Sequence, residues 1–419
     1  MEEKSMSKKM FAYVGNWNFH PADKGISIYR YNPEDGSLEL VETIMPEVAA
    51  GQLWLHPEKP VLYVVNERGE RYGEMGGGGY VLAFAIDEET GRLTLLSNLE
   101  SLCPEPSYVV VDRSGRHVLV SQHVDPFCVT KVVKREDGSW ENQVLMDDAG
   151  LLLIGLKEDG SLDRIQDVYI THSNAGLGPD SQKLVDPVTG HIQLTRVVSR
   201  QHAVMPSPSG NIYAVTDKGM DRVYTFGVDD EKDRLRMLDC YEDDLGVFPR
   251  YVAFHPTLPV MYTNNERACE IHVFSYDDET GKLALLQKEE LLTPEYKGKQ
   301  YSINCRPMGA QDLLAHPNGK TLYCTVEGGD NLIAVLQIDD KGSLTLRQNV
   351  DCGGVMPRGI CLSPDGRFLL SGNLISGDIT VFLVKEDGTL IFTGKKYPAV
   401  SPSAIRIYEG KELENGSVI

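Results

Sequence analysis

Residues 246–266 read GVFPRYVAFHPTLPVMYTNNE, a pattern that predicts two short strands around a proline-rich turn. The turn centres near Leu258, which lies midway between Arg250 and Glu266. Residues equidistant from a hairpin turn are neighbours on the two antiparallel strands. We therefore expect Arg250 and Glu266 to be cross-strand neighbours at the open end of this hairpin.

Hairpins of the same kind recur along the whole chain. Further copies of the turn and its second strand read HPEKPVLYVVNE, DRSGRHVLVSQH, SPSGNIYAVTDK, HPNGKTLYCTVE and SPDGRFLLSGNL. A second, acidic turn comes later in each repeat, as in DEETGRLTL, DDETGKLAL and KEDGTLIF, and most of these turns carry the glycine that a left-handed backbone position favours. With one strand between the two turns and one before the first, the repeated unit has four strands.

A four-stranded unit that recurs about every 50 residues is typical of propeller blades. Seven acidic turns predict seven blades. The first unit begins at FAYVGN without its opening strand, whereas SAIRIYEG, residues 403–410, is followed by no partner strand. Pairing these two segments closes the ring without an unpaired edge. We expect an all-β, seven-bladed β-propeller of four-stranded antiparallel blades, closed by the N- and C-terminal strands in one blade.

The predicted propeller is a single domain over residues 10–410. We expect residues 1–9 to be disordered or extended and residues 411–419 to form a C-terminal tail. Insertions interrupt the repeat near 124–150, 171–199 and 292–308. Loops of this length in a compact domain are usually functional rims or lids. We expect the first two insertions to cap the mouth of the central channel and to narrow the range of substrates.

Charge and composition exclude several classes of partner. The chain of 419 residues has 41 Lys and Arg against 61 Asp and Glu, a formal net charge of −20, which opposes binding to nucleic acid and to anionic membrane surfaces. No signal-peptide core and no long apolar run occurs, so we expect a cytoplasmic protein. The eight cysteines are scattered without metal-ligand spacing, which is typical of reduced, packed thiols.

The same arithmetic about each turn gathers polar side chains of several blades at one mouth of the channel. It places His202 near Asp217, Gln311 near Glu327, and Arg358 near Asn373. The predicted ring consists of Glu67, His123, His202, Asp217, Arg250, Glu266, Gln311, Glu327, Arg358 and Asn373. Any single pair can be a salt bridge between blades, but the residue type changes from blade to blade, which favours a ligand site. We expect His255 and His316 to shape turns at the opposite mouth; His20 is a weaker candidate.

Three segments resemble sequence blocks of the seven-bladed lactonase family, which includes bacterial 6-phosphogluconolactonase and the fungal carboxymuconate lactonizing enzyme. They are QHAVMPSPSGNIYAVTDKGMDRVYTF, FPRYVAFHPTLPVMYTNNE and MPRGICLSPDGRFLLSGN. The resemblance extends over essentially all blades apart from the insertions. It implies that His202, Arg250 and Glu266 act in binding or catalysis, and Asp217 matches the aspartate of an Asp-Leu-Gly block.

The chain departs from the family pattern at three places near the predicted mouth. Tyr251 replaces the histidine of a Pro-Arg-His block, Gln122 and His123 replace Asn-Tyr, and Glu327 replaces an arginine. The replacement of the arginine by Glu327 removes one positive charge from the mouth and adds one negative charge, which argues against a phosphorylated substrate. We therefore expect a substrate other than a phosphogluconolactone.

The residue types suit the opening or the formation of a small sugar- or aromatic-derived lactone. Hydrolysis needs a base for the attacking water and a cation for the developing oxyanion. Glu266 is the best candidate base, and His202 is a candidate base or acid. Arg250 and Arg358 are candidates to hold a carboxylate or the oxyanion, since the guanidinium fork suits either group. We expect the other members of the ring to bind the substrate, and no cofactor is required.

Two alternatives belong to other functional classes. Glu67, Glu266, Glu327 and His123 are types of ligand that suit a hard divalent cation, which would make the protein a metal-assisted hydrolase or lyase. Alternatively, the rim loops bind a protein or a carbohydrate without catalysis. No nucleophile elbow, zinc-protease helix motif or Walker loop is present, so those mechanisms have no support.

Overall fold

The computed structural model describes residues 9–17, 25–68, 70–71, 74–75, 77–124, 128–173, 182–185, 192–296 and 309–410. Throughout these ranges the regular structure consists of β-strands, most of which form seven four-stranded antiparallel sheets. No helix of the described chain is long and apolar enough to cross a lipid bilayer. The predicted all-β, seven-bladed architecture is confirmed.

The strands are numbered in chain order, and each blade is given from its inner to its outer strand. Blade 1 contains β34 (Pro402–Glu409), β1 (Met10–Asn16), β2 (Gly25–Asn32) and β3 (Ser37–Ile44). Blade 2 contains β4 (Ala50–Leu55), β5 (Val61–Asn66), β8 (Tyr80–Ile86) and β9 (Leu93–Glu100). Blade 3 contains β10 (Pro106–Val111), β11 (His117–Gln122), β14 (Ala149–Leu156) and β15 (Leu162–Thr171). Blade 4 contains β18 (Gln201–Pro206), β19 (Tyr213–Asp217), β20 (Arg222–Asp229) and β21 (Arg234–Glu242).

The remaining three blades follow the same order. Blade 5 contains β22 (Pro249–Phe254), β23 (Val260–Asn265), β24 (Glu270–Tyr276) and β25 (Leu283–Glu290). Blade 6 contains β26 (Gly309–Ala315), β27 (Thr321–Glu327), β28 (Leu332–Ile338) and β29 (Leu344–Asp351). Blade 7 contains β30 (Pro357–Leu362), β31 (Phe368–Asn373), β32 (Asp378–Val384) and β33 (Leu390–Pro398). Three short hairpins stand outside the blades: β6 (Glu70–Arg71) with β7 (Glu74–Met75), β12 (Cys128–Lys134) with β13 (Trp140–Met146), and β16 (Gln182–Val185) with β17 (Ile192–Thr195).

The ring closes as predicted, because β34 from the C-terminal end pairs with β1 in blade 1. Tyr13 lies opposite Arg406, and Val14 lies opposite Ile405. The hydrophobic core lies between adjacent blades, where apolar faces of neighbouring sheets pack together. The described cysteine side chains carry free thiols, as expected, and three of them are buried.

The acidic turns bind a tyrosine of the preceding blade. The Tyr262 hydroxyl donates a buried hydrogen bond of 3.0 Å to the carbonyl of Gly342, which has a φ of 85°. Only a residue without Cβ adopts this backbone conformation without strain. The same contact joins Tyr13 to Gly91, Tyr63 to Gly160, and Tyr323 to Gly388. The two recurring phrases of the sequence are therefore complementary parts of one contact between blades.

The histidines of the HP turns have a structural role of the same kind. Nδ1 of His255 accepts hydrogen bonds from the backbone of Thr257 and Leu258, and Nε2 lies 2.9 Å from the carbonyl oxygen of Gly319 in the next blade. His316 makes equivalent contacts with Asn318 and Gly366. The expectation that these two residues shape turns is confirmed, whereas His20 lies outside the described residues.

A β-bulge interrupts the pairing near the start of every inner strand. In blade 5, Pro249 pairs with Asn265 and Tyr251 pairs with Asn264, so Arg250 has no cross-strand partner. The predicted cross-strand pairing of Arg250 with Glu266 is therefore wrong: the register from Tyr251 onward would place Arg250 opposite Asn265, and the bulge leaves it without a partner. The residues in the seven bulges are Gly51, Ser107, His202, Arg250, Gln311 with Asp312, Arg358 and Ser403.

The two larger insertions meet at their bases. The hairpin of β12 and β13 occupies most of the predicted 124–150 insertion, although β14 of the blade already begins at Ala149. Val124 and Ala149 pack against Val197 and Val198, which end the second insertion. Only the two short strands and the ends of the 171–199 insertion lie within the described ranges. Most of the 292–308 insertion and nearly all of both predicted terminal segments lie outside them.

Candidate functional site

The bulges bring side chains from different blades together at one mouth of the channel. Arg250 and Arg358 both act electrostatically on His202, although the three residues belong to blades 5, 7 and 4. A bulge re-aims the side chain of its extra residue, and bulges are common beside active sites. The predicted clustering of His202, Arg250 and Arg358 is what the structure shows.

Arg250 lies at the centre of this cluster. The residue is 2% exposed, and its Nη1 donates a hydrogen bond of 2.7 Å to the carbonyl of Gln311 in blade 6. Its Nε lies 3.2 Å from Oε2 of Glu266, which is close enough for an ion pair, but Nε makes no hydrogen bond. Burial alone would lower the pKa of Arg250, but Tyr251 and Glu266 outweigh that effect and raise it. The guanidinium is therefore a fixed positive charge.

Glu266 is shared between Arg250 and a lysine that sequence reasoning missed. Nζ of Lys218 donates a hydrogen bond of 2.8 Å to Oε2 of Glu266. Burial lowers the pKa of Lys218 to about 8, although the charge of Glu266 opposes the shift. The position of Lys218 in the sequence could have identified it. It follows Asp217 and takes the place of the leucine in the Asp-Leu-Gly block that this segment resembles.

Two histidines and a tyrosine pack beside these charges. The ring of His202 lies 5.4 Å from that of His123 and 5.2 Å from that of Tyr251, centroid to centroid. Burial, together with nearby cations that include Lys218 and Arg250, lowers the pKa of both imidazoles well below its usual range. Both rings are therefore neutral at pH 7. A neutral imidazole has a lone pair that can accept a proton.

Arg358 lies against an aromatic ring from blade 1. Its guanidinium carbon is 4.2 Å from the ring centroid of Trp17, within the range of a cation–π contact. The backbone of Trp17 donates a hydrogen bond to the carbonyl of Ser401. Trp17 was not predicted as a site residue, because only the closure of the ring places β1 next to blade 7.

The predicted acidic members Glu67 and Glu327 also lie near Arg250. Both carboxylates contribute to the raised pKa of Arg250. Glu67 fills the space beside the bulge residue of blade 2, since a Cβ on Gly51 would come within 2.1 Å of its Oε2. Glycine at this bulge therefore makes room for the glutamate. Glu327 ends β27 and is 8% exposed.

Three predicted substrate ligands have structural contacts instead. Asp217 is fully buried and accepts hydrogen bonds from the Ser199 hydroxyl and from the backbone of Arg200, Gly219 and Met220. Asn373 is fully buried and donates to Asp378 and Thr380 in its own blade. Gln311 takes part through its backbone carbonyl, which binds Arg250. These polar contacts hold the scaffold, and a role of the three residues in substrate binding stays a prediction.

The predicted cation site is not assembled either. In the described part of the chain, three potential ligand atoms come within 4.8 Å of one another only at Asp112, His117 and Asp230. Of the predicted set, Glu266 is bound by two cationic side chains and His123 contacts Glu105. These contacts involve Oε2 of Glu266 and Nδ1 of His123, and the four predicted residues do not form a group of ligand atoms close enough to share one ion.

A cleft of about 410 Å³ lies beside the mouth. Met45 and Val48 line it from the connection between blades 1 and 2, and Asn66, Arg68 and Tyr80 line it from blade 2. Asn66 and Arg68 flank Glu67 in the sequence, but no residue of the predicted ring lines the cleft. We therefore place the candidate site at the channel mouth.

The fold is a seven-bladed propeller in which buried charged side chains cluster where the inner strands begin. The sequence profile described as "Lactonase, 7-bladed beta-propeller" matches residues 11–407, and the chain belongs to this family. The protein named 6-phosphogluconolactonase in Formosa agariphila is 24% identical over 375 residues, which cover 88% of this chain and 91% of that protein. A second protein of that name, from Bacillus subtilis, is 24% identical over 318 residues, which cover 75% and 76% of the two chains.

A solved structure shares the fold. The periplasmic gluconolactonase of Pseudomonas aeruginosa superposes with a TM-score of 0.78 at 23% sequence identity. The superposition covers 96% of this chain and all of that protein. Membership of the lactonase family supports a lactone hydrolase that acts on a small molecule, as predicted.

Proposed function

We propose that the protein hydrolyses an unphosphorylated, sugar-derived lactone at the channel mouth. The observation that carries the proposal is the buried guanidinium of Arg250, fixed between Glu266 and the Gln311 carbonyl beside the neutral ring of His202. A fixed cation next to a neutral imidazole supplies the two groups that lactone hydrolysis needs.

The reaction follows from these positions. His202 takes a proton from a water molecule, whose oxygen attacks the lactone carbonyl carbon. Arg250 and Arg358 stabilise the oxyanion of the tetrahedral intermediate; the hydrogen bond of Arg250 to the Gln311 carbonyl uses one of its five N–H donors. The ring C–O bond then breaks, and the leaving oxygen takes the proton from His202. The product is an open-chain hydroxy acid.

Glu266 has a different role in this proposal from the one expected of it. A carboxylate bound by two cationic side chains is a weaker base than an isolated carboxylate, because the cations stabilise its charged form. Glu266 therefore positions Arg250 and Lys218, while His202 acts as the base.

The balance of charge supports an unphosphorylated substrate. The cations around the two imidazoles are Arg200, Lys218, Arg250 and Arg358, and the neighbouring anions are Glu67, Glu105, Glu266 and Glu327. Because four positive groups face four negative groups, the mouth has no net positive charge with which to bind a phosphate dianion. The predicted cytoplasmic location stays a prediction, since one solved member of the fold is named as periplasmic.

Proton release on a panel of lactones tests this function. We expect the wild-type protein to open D-glucono-1,5-lactone at least tenfold faster, in kcat/KM, than its 6-phosphorylated derivative. The Arg250→Ala variant should retain less than about 1% of that activity, since one oxyanion donor contributes about 10²–10³ in rate. Turnover of every tested lactone at the spontaneous rate would refute the proposal, and a preference for the phosphorylated compound would refute the assigned substrate.

A further inference from the structure

Each imidazole of the site has one buried nitrogen without a hydrogen-bond partner among the described residues. These atoms are Nδ1 of His202 and Nε2 of His123. His202 is 4% exposed and the His123 side chain 12% exposed, so both rings are largely shielded from water. A buried nitrogen without a partner destabilises the folded protein by about as much as the loss of one hydrogen bond. Two such atoms on adjacent rings therefore require an explanation.

Glu105 determines which nitrogen of His123 carries the proton. Its Oε2 lies 3.3 Å from Nδ1 of His123. An ionised carboxylate only accepts hydrogen bonds, so Nδ1 of the neutral ring carries the hydrogen and Nε2 has the lone pair. The second atom without a partner is therefore an acceptor.

The backbone holds Glu105 and His123 together at a second point. The backbone N–H of His123 donates a hydrogen bond of 2.9 Å to the carbonyl of Glu105. The same bond joins Glu266 to Phe248 in blade 5, where Phe248 has a φ of 59° and Glu105 one of 49°, so this backbone arrangement is a feature of the repeat. The contact of its carboxylate with Nδ1 of His123 is what distinguishes Glu105.

The two unpartnered atoms complement each other. The rings of His123 and His202 lie 5.4 Å apart, centroid to centroid, at an angle of 83°. A hydrogen bond between the two atoms requires the rings to rotate from this edge-to-face arrangement, and catalytic hydrogen bonds are often loose before substrate binds. We infer that Glu105, His123 and His202 form a relay, in which Nδ1–H of His202 donates to Nε2 of His123 and Nε2 of His202 faces the attacking water.

The relay assigns a role to each member in the proposed lactone hydrolysis, on which this inference rests. Water gives its proton to Nε2 of His202, and the resulting imidazolium keeps its Nδ1–H bond to His123. Glu105 stabilises that positive charge through the intervening ring, as a carboxylate does behind a catalytic histidine. His202 later returns the proton to the leaving oxygen. Glu105 and His123 are positioning residues, and His202 is the catalytic base.

The charges that face the relay keep the base in its active form. The cations that act on His123 are Lys218, Arg200, Arg250 and Arg358, and those that act on His202 are Arg250, Lys218 and Arg358. Glu105 is the anion in direct contact with the relay. The cations favour neutral imidazoles at neutral pH, while Glu105 favours the proton on Nδ1 of His123.

The tautomer of His202 tests the relay without any assay of activity. Protein labelled with ¹⁵N-histidine should show, by long-range ¹H–¹⁵N correlation at pH 7.5, His202 protonated at Nδ1 and bare at Nε2. In the His123→Phe variant, which removes the acceptor, the population protonated at Nδ1 should fall. Wild-type protein with His202 protonated at Nε2 would overturn the inference even if the lactonase function holds, and the expected tautomer would support it even if no tested lactone is turned over.

Kinetics on D-glucono-1,5-lactone provide the second readout. Glu105→Gln should lower kcat about tenfold, leave KM within twofold, and move the acid limb of kcat/KM to lower pH, because loss of the carboxylate lowers the pKa of the imidazoles. The matched control is Glu270→Gln, which removes a carboxylate that lies 2.7 Å from His272 and is not part of the relay. It should leave kcat unchanged. An unchanged kcat and pH profile in Glu105→Gln would contradict the relay.

Discussion

Nζ of Lys218 lies 2.8 Å from Oε2 of Glu266, and the two side chains are only 12% and 17% exposed. The pair stands beside the buried guanidinium of Arg250, so one carboxylate compensates two cations. Removal of water from charged groups is costly, and burial accordingly lowers the pKa of Lys218 to about 8. The mouth is therefore an electrostatically coupled unit in which each charge changes the basicity of the imidazoles.

Removal of Lys218 should move the pH profile upward. Lys218 lowers the pKa of both His123 and His202, so the Lys218→Met variant should bind protons on these imidazoles at higher pH. The acid limb of kcat/KM on D-glucono-1,5-lactone should shift to higher pH. The Lys288→Met variant, which breaks an exposed pair with Asp244, is the control and should retain the wild-type profile.

Replacement of Arg250 by lysine should not restore function. Nη1 and Nε of Arg250 reach Gln311 and Glu266 at the same time, and an ammonium group does not reproduce this fork. We expect kcat/KM of Arg250→Lys to fall by about 10²-fold. A variant with activity near that of the wild type would show that only the charge of Arg250 matters. Circular dichroism should confirm that the variant is folded.

Loss of one contact between a tyrosine and an acidic turn should lower stability without affecting catalysis. Tyr262→Phe removes the hydrogen bond to the Gly342 carbonyl and leaves that acceptor buried. The free energy of unfolding should fall by about 1 kcal/mol, measured as a lower midpoint of urea denaturation. The exposed Tyr80 provides the control, since Tyr80→Phe should leave the midpoint unchanged. Equal midpoints for both variants would argue against a stabilising role for this contact.

The buried His272 should make stability depend on pH. Burial alone would lower its pKa, but hydrogen bonds with Asp243 and Glu270 outweigh burial and raise it. The folded protein therefore binds the proton more tightly than the unfolded chain, so this stabilisation is complete below about pH 6.5 and is lost as pH rises through the folded pKa. His272→Gln should cost about 2 kcal/mol at pH 6 and less at pH 9. A cost that is constant between these pH values would contradict the raised pKa.

Part of the site could be predicted from one hairpin and part could not. Counting residues about the turn places Arg250 near Glu266, and the structure shows the contact at 3.2 Å. The same counting fails on register, because a bulge residue has no signature in the alternation of apolar side chains. Counting residues about a turn also does not separate Asp217 and Asn373 from the rest of the ring, because a polar residue at the end of a strand equally suits a ligand site and a hydrogen bond within the scaffold.

Lys218 and Glu105 were missed because their importance arises from neighbours distant in sequence. Lys218 contacts Glu266 of the next blade, and Glu105 reaches His123 across the hairpin of β10 and β11. Lys218 ends the phrase SPSGNIYAVTDK at the position that Glu266 and Glu327 occupy in theirs, whereas Glu105 belongs to no recurring phrase.

The repeat of turns and alternating strands determined, from the sequence alone, the seven blades, their four-stranded order and the closure of the ring, because each unit can bury its apolar faces only against copies of itself. Which polar residues meet at the axis was decided by the tertiary structure. The bulges set the direction of each inner side chain, and the packing of one blade against the next sets its neighbours, so the pairing of Lys218 with Glu266 and the contact of His123 with His202 exist only once adjacent blades have packed together.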